Sequence, residues 1–226
     1  MQELAHQNIA AWDSLYGSTG ELIWGKEPAS FIERYLPKLA ENLDDSSLIL
    51  DAATGEGRNL PALRHLKGRL MACDASENAL AKIPASIREN ISLFFCDLCR
   101  TPFSDDFFDV VLLSDTLETL PDPGLALAEV ARILKPGGRL LINIPGEEDE
   151  IAGIDMSPLE PGHLYRGRFF YRFLGEEEAI ALLESAGLLI LESELSTWLE
   201  EAHPHYRTGD HRHTSRIFLA QKSSKT

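Results

Sequence analysis

The sequence predicts an α/β domain, a mostly parallel sheet with helices on both faces, and two features carry that prediction. From residue 46 onward, short and continuously apolar runs alternate with segments of helical periodicity. Strands buried on both faces read as unbroken apolar runs, and strand alternating with helix is the pattern of a parallel sheet. The first of these strands also runs into a glycine-containing turn, Asp51-Ala-Ala-Thr-Gly55-Glu-Gly57, that leads into a helix.

Residues 1–42 read as two helices: Ile9, Trp12 and Tyr16 recur at helical spacing, and so do Ile32, Tyr35, Leu36 and Leu39. Between them lies a loop, GSTGELIWGKEP, ending at Pro28 near a helix start. In the body of the chain strands are expected at 47–51, 69–74, 91–96, 107–114 and 139–144, with helices at 58–66, 77–87 and 124–134. The last helix carries Leu127, Val130, Ala131 and Leu134 on one face, and Lys135-Pro-Gly-Gly138 is expected to stop it and reverse the chain. After Pro145 the stretch GEEDEIAGIDMSPLEPGH reads as a loop or lid. A helix at 176–185 and strands at 188–193 and 216–221 follow, the strands joined by the polar WLEEAHPHYRTGDHRHT. There is no internal repeat.

A chain of 226 residues supports one full hydrophobic core and is short for two, so a single domain spanning 1–226 is expected. No run of 18 apolar residues predicts a membrane span, and the polar, acidic N-terminus does not read as a signal peptide. Cys73, Cys96 and Cys99 cannot all pair, which points to a reduced, cytoplasmic protein. The net charge of −15 argues against a nucleic-acid partner, because such partners call for a basic face. Two small basic groups, Arg166, Arg168 and Arg172 and then Arg207 and Arg212, could suit a small anionic acceptor, but surface arginines beside acidic neighbours are the more ordinary reading of each.

The turn after the first strand is the most informative segment. Glycines there let the backbone turn tightly and approach a ligand with no Cβ in the way. Asp74 ends the next strand, where a carboxylate can accept bonds from both hydroxyls of a ribose. The dinucleotide fingerprint G-x-G-x-x-G would need a third glycine or alanine at position 60, which is Leu60. Asp97-Leu98 follows the third strand, Ser114-Asp115 ends the fourth, and Leu134-Lys-Pro-Gly-Gly138 precedes the fifth.

Taken in this order, the five elements resemble the class I S-adenosylmethionine-dependent methyltransferases. That family's pattern runs D-x-G-x-G-x-G, an acidic ribose binder, D-[LAV] near the adenine, D-x-V and L-K-P-G-G. Here these stand as Asp51 to Gly57, Asp74-Ala75-Ser76, Asp97-Leu98, Asp109-Val-Val and Leu134 to Gly138. The resemblance is close over 46–145 and looser over 170–222. It implies a Rossmann-like sheet of seven strands with an antiparallel last strand, and S-adenosylmethionine as cofactor. It further implies that Asp51 helps hold the methionine amino group, Gly55 and Gly57 admit the cofactor, Asp74 grips the ribose diol and Asp97 bonds the adenine amine. Ala53, Thr54, Ala75, Leu98 and Ser114 complete the implied cofactor-binding set.

Two positions depart from the pattern. Ala53 replaces the first motif glycine, a change that is tolerated if φ stays negative. Thr119 stands where many small-molecule members carry histidine, so no histidine chemistry is expected there. The N-terminal Trp12, Tyr16, Trp24, Gly25 and Pro28 resemble the cap of tellurite-resistance and thiopurine methyltransferase-like proteins. That likeness implies a helical cap over 1–42 and adds Trp24 to the cofactor-binding set, while Trp12 and Tyr16 also fit a packed aromatic pair.

Cys96-Asp-Leu-Cys99 lacks the second cysteine pair of a zinc site. In His203, His205, His211 and His213 the H-x-H spacing puts two rings on one strand face, and the two pairs could meet across a hairpin, yet no metal is expected. Methyl transfer from a sulfonium is an in-line displacement, so positioning and desolvation can supply most of the catalysis. The implied activity is transfer to a small-molecule acceptor. The alternatives are a protein or nucleic-acid methyltransferase, or a regulatory S-adenosylmethionine-binding protein without turnover. Core 46–145 would hold the cofactor, insert 146–175 would face the acceptor, and 176–222 would complete the sheet. His163 and Tyr165 are candidates for acceptor contacts; no catalytic base is identified, and the oligomeric state is left open.

Overall fold

The computed structural model describes residues 2–153, 157–160, 163–203, 205–207 and 209–224. Its centre is a seven-stranded sheet in the order β3-β2-β1-β4-β5-β10-β9, built from Leu48–Ala52 (β1), Arg69–Asp74 (β2), Ser92–Phe95 (β3), Phe108–Leu113 (β4), Leu134–Pro145 (β5), Leu188–Glu200 (β9) and His211–Lys222 (β10). β1 pairs in parallel with β2 and β4, and β4 with β5; β10 runs antiparallel to both β5 and β9. The order reverses between β1 and β4, and ligands in open α/β sheets bind at the carboxyl ends of strands beside such a switch point. The seven-stranded, mostly parallel sheet with an antiparallel last strand is therefore the one expected.

All five residues of β1 are buried, Asp51 among them, as befits a central strand covered on both faces. One sheet face packs Val111, Leu113 and Phe218 against Leu127 and Val130 of α6 (Pro123–Ile133) and Leu183 of α7 (Glu176–Ser185). The other packs Ile49, Val110 and Leu141 against Ile32 and Tyr35 of α2 (Ile32–Leu39), Leu63 of α3 (Leu60–Leu63) and Leu80 of α4 (Glu77–Lys82). Helix starts carry their own signals: Ser76 accepts the Ala79 amide to open α4, and Asp122 accepts the Leu125 amide ahead of Pro123 to open α6. α1 (Gln2–Gly17) lies against α4 and the strand Phe169–Tyr171. Among the described residues no helix is long and apolar enough to cross a membrane.

Four expectations change. The helix expected at 77–87 is two, α4 and α5 (Ala85–Arg88), because Pro84 forms the break between them. Lys135-Pro-Gly-Gly138 is not what stops the helix: α6 ends at Ile133, and the segment lies within β5 as an irregularity against β4 between Phe108 and Val110. Gly138 is needed there because a Cβ would lie 2.9 Å from the Lys135 carbonyl and 3.0 Å from that of Phe108. The stretch after Pro145 is not all loop, since β6 (Ser157–Glu160), β7 (His163–Arg166) and β8 (Phe169–Tyr171) form a small antiparallel sheet. Finally, much of the connection expected after 193 is strand, and β9 and β10 continue as a ribbon to the Glu200–His211 pair.

Candidate functional site

A cleft open to solvent lies at the carboxyl ends of β1, β2 and β4. One wall is the glycine turn. Asp74 Oδ2 accepts the Gly55 amide at 2.8 Å and Oδ1 accepts the Ser76 amide at 2.8 Å, so one carboxylate ties the ends of two adjacent strands. Burial raises the Asp74 carboxyl to about 6 despite those bonds. Gly55 has φ +56, and a Cβ on it would meet the Tyr16 hydroxyl at 3.0 Å. That hydroxyl in turn accepts the Trp24 indole N–H at 2.8 Å.

Glu56, inside the same turn, fixes the N-terminal loop. Its Oε2 accepts the amides of Ile23 and Trp24, and its Oε1 pairs with Lys82 at 3.1 Å. The Trp24 ring then stands over the cleft, edge-on to His203 and Tyr206. Trp12, Trp24, Tyr171 and Tyr206 make an aromatic lobe, with Trp12 centred 5.6 Å from Tyr206 and 6.5 Å from Tyr171.

The opposite wall is a charge network. Arg58 pairs with Asp115 at 2.6 Å and with Glu200 at 3.2 Å. His213 stands between two carboxylates, its Nε2 3.1 Å from Asp115 and its Nδ1 2.6 Å from Asp149. Burial alone would lower His213, but these two partners win and push it up to about 10, so it is a cation at neutral pH. Burial would likewise raise Asp115, yet the His213 bond and the Arg58 charge hold it well below the usual carboxylate range. Asn143 completes the network, donating to Asp115 and accepting its amide.

Of the expected cofactor-binding residues, Trp24, Ala53, Thr54, Gly55, Asp74, Ala75 and Ser114 line the cleft. Asp51 does not: it is buried within β1, where its carboxylate accepts the Thr54 hydroxyl at 2.6 Å, and burial raises it to about 7. Gly57 (φ +80) lies beneath the turn, where a Cβ would come 2.9 Å from Leu60. Asp97 is exposed and caps its own turn by accepting the Cys99 amide, while Leu98 packs into the core. Ala53 has φ +53 where a negative value is expected; an L-residue there costs about 1–2 kcal/mol. The backbone of His163 and Tyr165 lies in β7, and their side chains fall outside the described residues.

The four histidines do not meet as two pairs across a hairpin. His211 and His213 face Glu200 and Trp198 across the ribbon, whereas His203 bridges to Arg207 and His205 is exposed. Asp149, His211 and His213 do each offer a ligand atom within 4.8 Å of the others. Both ring nitrogens of His213 are already engaged by carboxylates, so the group is built as a hydrogen-bonded network.

Sequence reasoning did not single out Arg58, Glu118, Asn143, Asn8 or Glu200. Arg58 sits one position past the glycine turn and Asp115 one past Ser114, so proximity to strand ends was the signal available. Glu118 and Asn8 carry no such mark.

Residues 50–142 match the family model described as a methyltransferase domain. A demethylmenaquinone methyltransferase from Clavibacter sepedonicus is 35% identical over 96 residues, 42% of this chain and 39% of that protein. The chain thus spans about two fifths of the length of the curated relatives it matches. Among solved structures, the Burkholderia thailandensis 1,6-didemethyltoxoflavin-N1-methyltransferase, with 1,6-didemethyltoxoflavin and S-adenosylhomocysteine bound, has a TM-score of 0.69 at 21% identity, covering 99% of this chain and 90% of that one. The [4+2]-cyclase SpnF has a TM-score of 0.63 at 19% identity, covering 97% and 95%. The fold is thus shared between a methyltransferase and a cyclase, and the site must carry the functional argument.

Proposed function

We propose that this chain, whose core is a class I S-adenosylmethionine-dependent methyltransferase domain, moves a methyl group from that cofactor to a small-molecule acceptor. The observation that carries the reading is that one cleft joins the glycine turn and Asp74 to an aromatic lobe and a charged wall. The acidic surface, with a net charge of −15, supports a small acceptor over a polyanion.

The residues present fit the cofactor. Gly55 keeps open a space that a Cβ would fill against Tyr16, and Asp74 is a carboxylate at a strand end beside it. When bound, S-adenosylmethionine supplies an electrophilic methyl group on sulfur. Asp74 is placed to accept the ribose hydroxyls, and Asp51 acts through Thr54 by holding the turn. Ser114 and Ala75 line the cleft on either side of β1. Trp24, tied down by Glu56, covers the turn and excludes water, while the Arg58–Asp115–His213 wall orients the acceptor. In this reading 1–42 is a cap over the cofactor core 46–145, and 146–175 closes the acceptor side.

The test is release of S-adenosylhomocysteine in the presence of a panel of small nucleophiles, with calorimetric titration of S-adenosylmethionine alongside. Turnover on a panel member supports the reading. Tight cofactor binding without turnover on any member would favour a regulatory role.

A further inference from the structure

Among the described residues, three buried polar atoms of residues that line the cleft have no hydrogen-bond partner: Trp12 Nε1, Glu118 Oε2 and His211 Nδ1. Buried polar groups are paired in the great majority of cases, so orphans gathered in one cavity call for an occupant. Glu118 is 5% exposed. It occupies a short 3-10 turn, Leu117–Thr119, just past β4, and that turn is held from both sides. The Glu118 carbonyl accepts the Arg172 amide at 2.6 Å, next to Tyr171 of the aromatic lobe. Asn8 donates to the Thr119 carbonyl at 2.7 Å and accepts the Phe170 amide at 3.0 Å, clamping α1, β8 and the turn together. Trp12 lies one helical turn beyond Asn8. The same clamp thus sets the Trp12 and Tyr171 rings and the Glu118 carboxyl around one lobe, with an unpaired donor and an unpaired oxygen.

From this arrangement we infer that Glu118 takes the proton from a flat aromatic acceptor, a ring hydroxyl or ring N–H, that lies in the aromatic lobe during methyl transfer. The inference rests on the methyltransferase reading above. Flat faces suit the rings of Trp12, Tyr171 and Tyr206, and a ring hydroxyl or N–H supplies the donor that the Glu118 oxygen lacks. In the step, the acceptor oxygen or nitrogen forms a bond to the methyl carbon as the carbon–sulfur bond breaks. The bonding pair stays on sulfur as a neutral thioether, and the acceptor's proton passes to the Glu118 carboxylate and then to solvent. No further reactant is needed.

The charged groups facing Glu118 are Asp115 after β4, Asp149 after β5 and His213 on β10. Burial first, then Asp115 and more weakly Asp149, raise its carboxyl to about 8, with a bond from its own backbone amide and the His213 charge opposing. A carboxylate that holds a proton this firmly is matched to removing one near neutral pH.

The experiment compares flat hydroxyaromatics and N-heterocycles with saturated alcohols and amines of similar size, using wild type and E118Q. Flat acceptors should be methylated preferentially. E118Q should bind S-adenosylmethionine within about twofold of wild type yet turn over roughly a hundredfold more slowly, the scale of general-base catalysis. Wild-type kcat/KM should rise with pH to a plateau above about 8, and E118Q should lose that rise. The wild-type to E118Q ratio should shrink as the acceptor's own acidity increases, which a merely structural role would not produce. Turnover on saturated acceptors alone, or an E118Q enzyme with wild-type rate and pH profile, overturns this inference and leaves the small-molecule reading standing. A wild-type protein that binds the cofactor and methylates no panel member overturns both.

Discussion

The Glu56 carboxylate holds the backbone of Trp24, accepting its amide at 3.2 Å and that of Ile23 at 2.7 Å through a single oxygen. The cofactor turn and the N-terminal loop are thus one mechanical unit, with Lys82 neutralising the buried charge. Glu56→Ala leaves two amides without their acceptor and the mostly buried Lys82 ammonium without its counter-charge, with the Glu21 carbonyl remaining as an acceptor. Loss of one partner of such a pair costs about 3–5 kcal/mol, so urea unfolding should show a loss of that order. Glu56→Gln, which keeps one acceptor oxygen, should lose less. Both should weaken S-adenosylmethionine binding, because Trp24 is released. An E56A protein within about 1 kcal/mol of wild type would show that the loop is held by other contacts.

Asp74→Ala should weaken S-adenosylmethionine binding by about 1.5–3 kcal/mol, or roughly tenfold to 150-fold. The structure adds a stability cost, since the Gly55 and Ser76 amides lose their acceptor as well. Wild-type affinity should also fall as pH drops through about 6, where the carboxylate takes up a proton. Calorimetry that finds the mutant affinity unchanged removes Asp74 from the site.

How much of this was legible depended on whether a signal was local. The strand at 69–74 and the helix at 176–185 appear with the expected bounds, because one is an apolar run and the other has a clean apolar face. The LKPGG segment reads as a helix stop, yet it lies past the helix end, in a strand irregularity where the Phe108 carbonyl leaves no room for a Cβ on Gly138. The ribbon end from Leu195 to Glu200, Leu-Ser-Thr-Trp-Leu-Glu, has no period-two alternation and is carried by its pairing with β10, which no local pattern announces. The site divides the same way. Gly55 and Asp74 belong to contiguous motifs, whereas Arg58–Asp115, His213–Asp149 and Asn8–Thr119 join residues 57, 64 and 111 positions apart.

Gly55 and Tyr16 should be coupled. Gly55→Ala meets two obstacles, a φ of +56 and a Cβ 3.0 Å from the Tyr16 hydroxyl. The mutation should displace Tyr16, disturb its bond to Trp24 and weaken cofactor binding by tenfold or so, about 1.4 kcal/mol. Tyr16→Phe removes the colliding oxygen at the cost of the Trp24 bond. The double mutant should therefore lose less than the sum of the singles, by about 0.5–1 kcal/mol. Strict additivity in a binding double-mutant cycle would place the Tyr16 hydroxyl away from Gly55.

The protein without cofactor should become more stable as pH falls from 8 to about 5. Burial raises Asp51 to about 7, Asp74 to about 6 and Glu118 to about 8, from ordinary values of 3.8, 3.8 and 4.5. Each of these binds its proton more tightly in the folded chain, so its favourable contribution is complete below the unfolded value and is lost as pH rises through the folded one. His213, raised from 6.5 to about 10 by Asp115 and Asp149 against burial, acts in the same direction between 8 and 6.5. His211 opposes below 6.5, since burial lowers it to about 4, but it is one proton against three. Glu200 is also raised by burial, but the His203 bond and Arg58 bring it down to about 2, and with the depressed Asp115 it reverses the trend. The stability these two add is present above their unfolded values and disappears as pH falls below about 4. Melting temperature should accordingly climb by several degrees from pH 8 to 5 and then drop; about 2 kcal/mol corresponds to roughly 4–8 °C in a chain of this size. General relief of the net −15 charge would also favour low pH, so the decisive comparison is with D51N and E118Q, which should each flatten the rise. A wild-type profile that is flat or falling between pH 8 and 5, or mutants with the wild-type slope, would mean that these carboxyls do not hold protons in the folded protein.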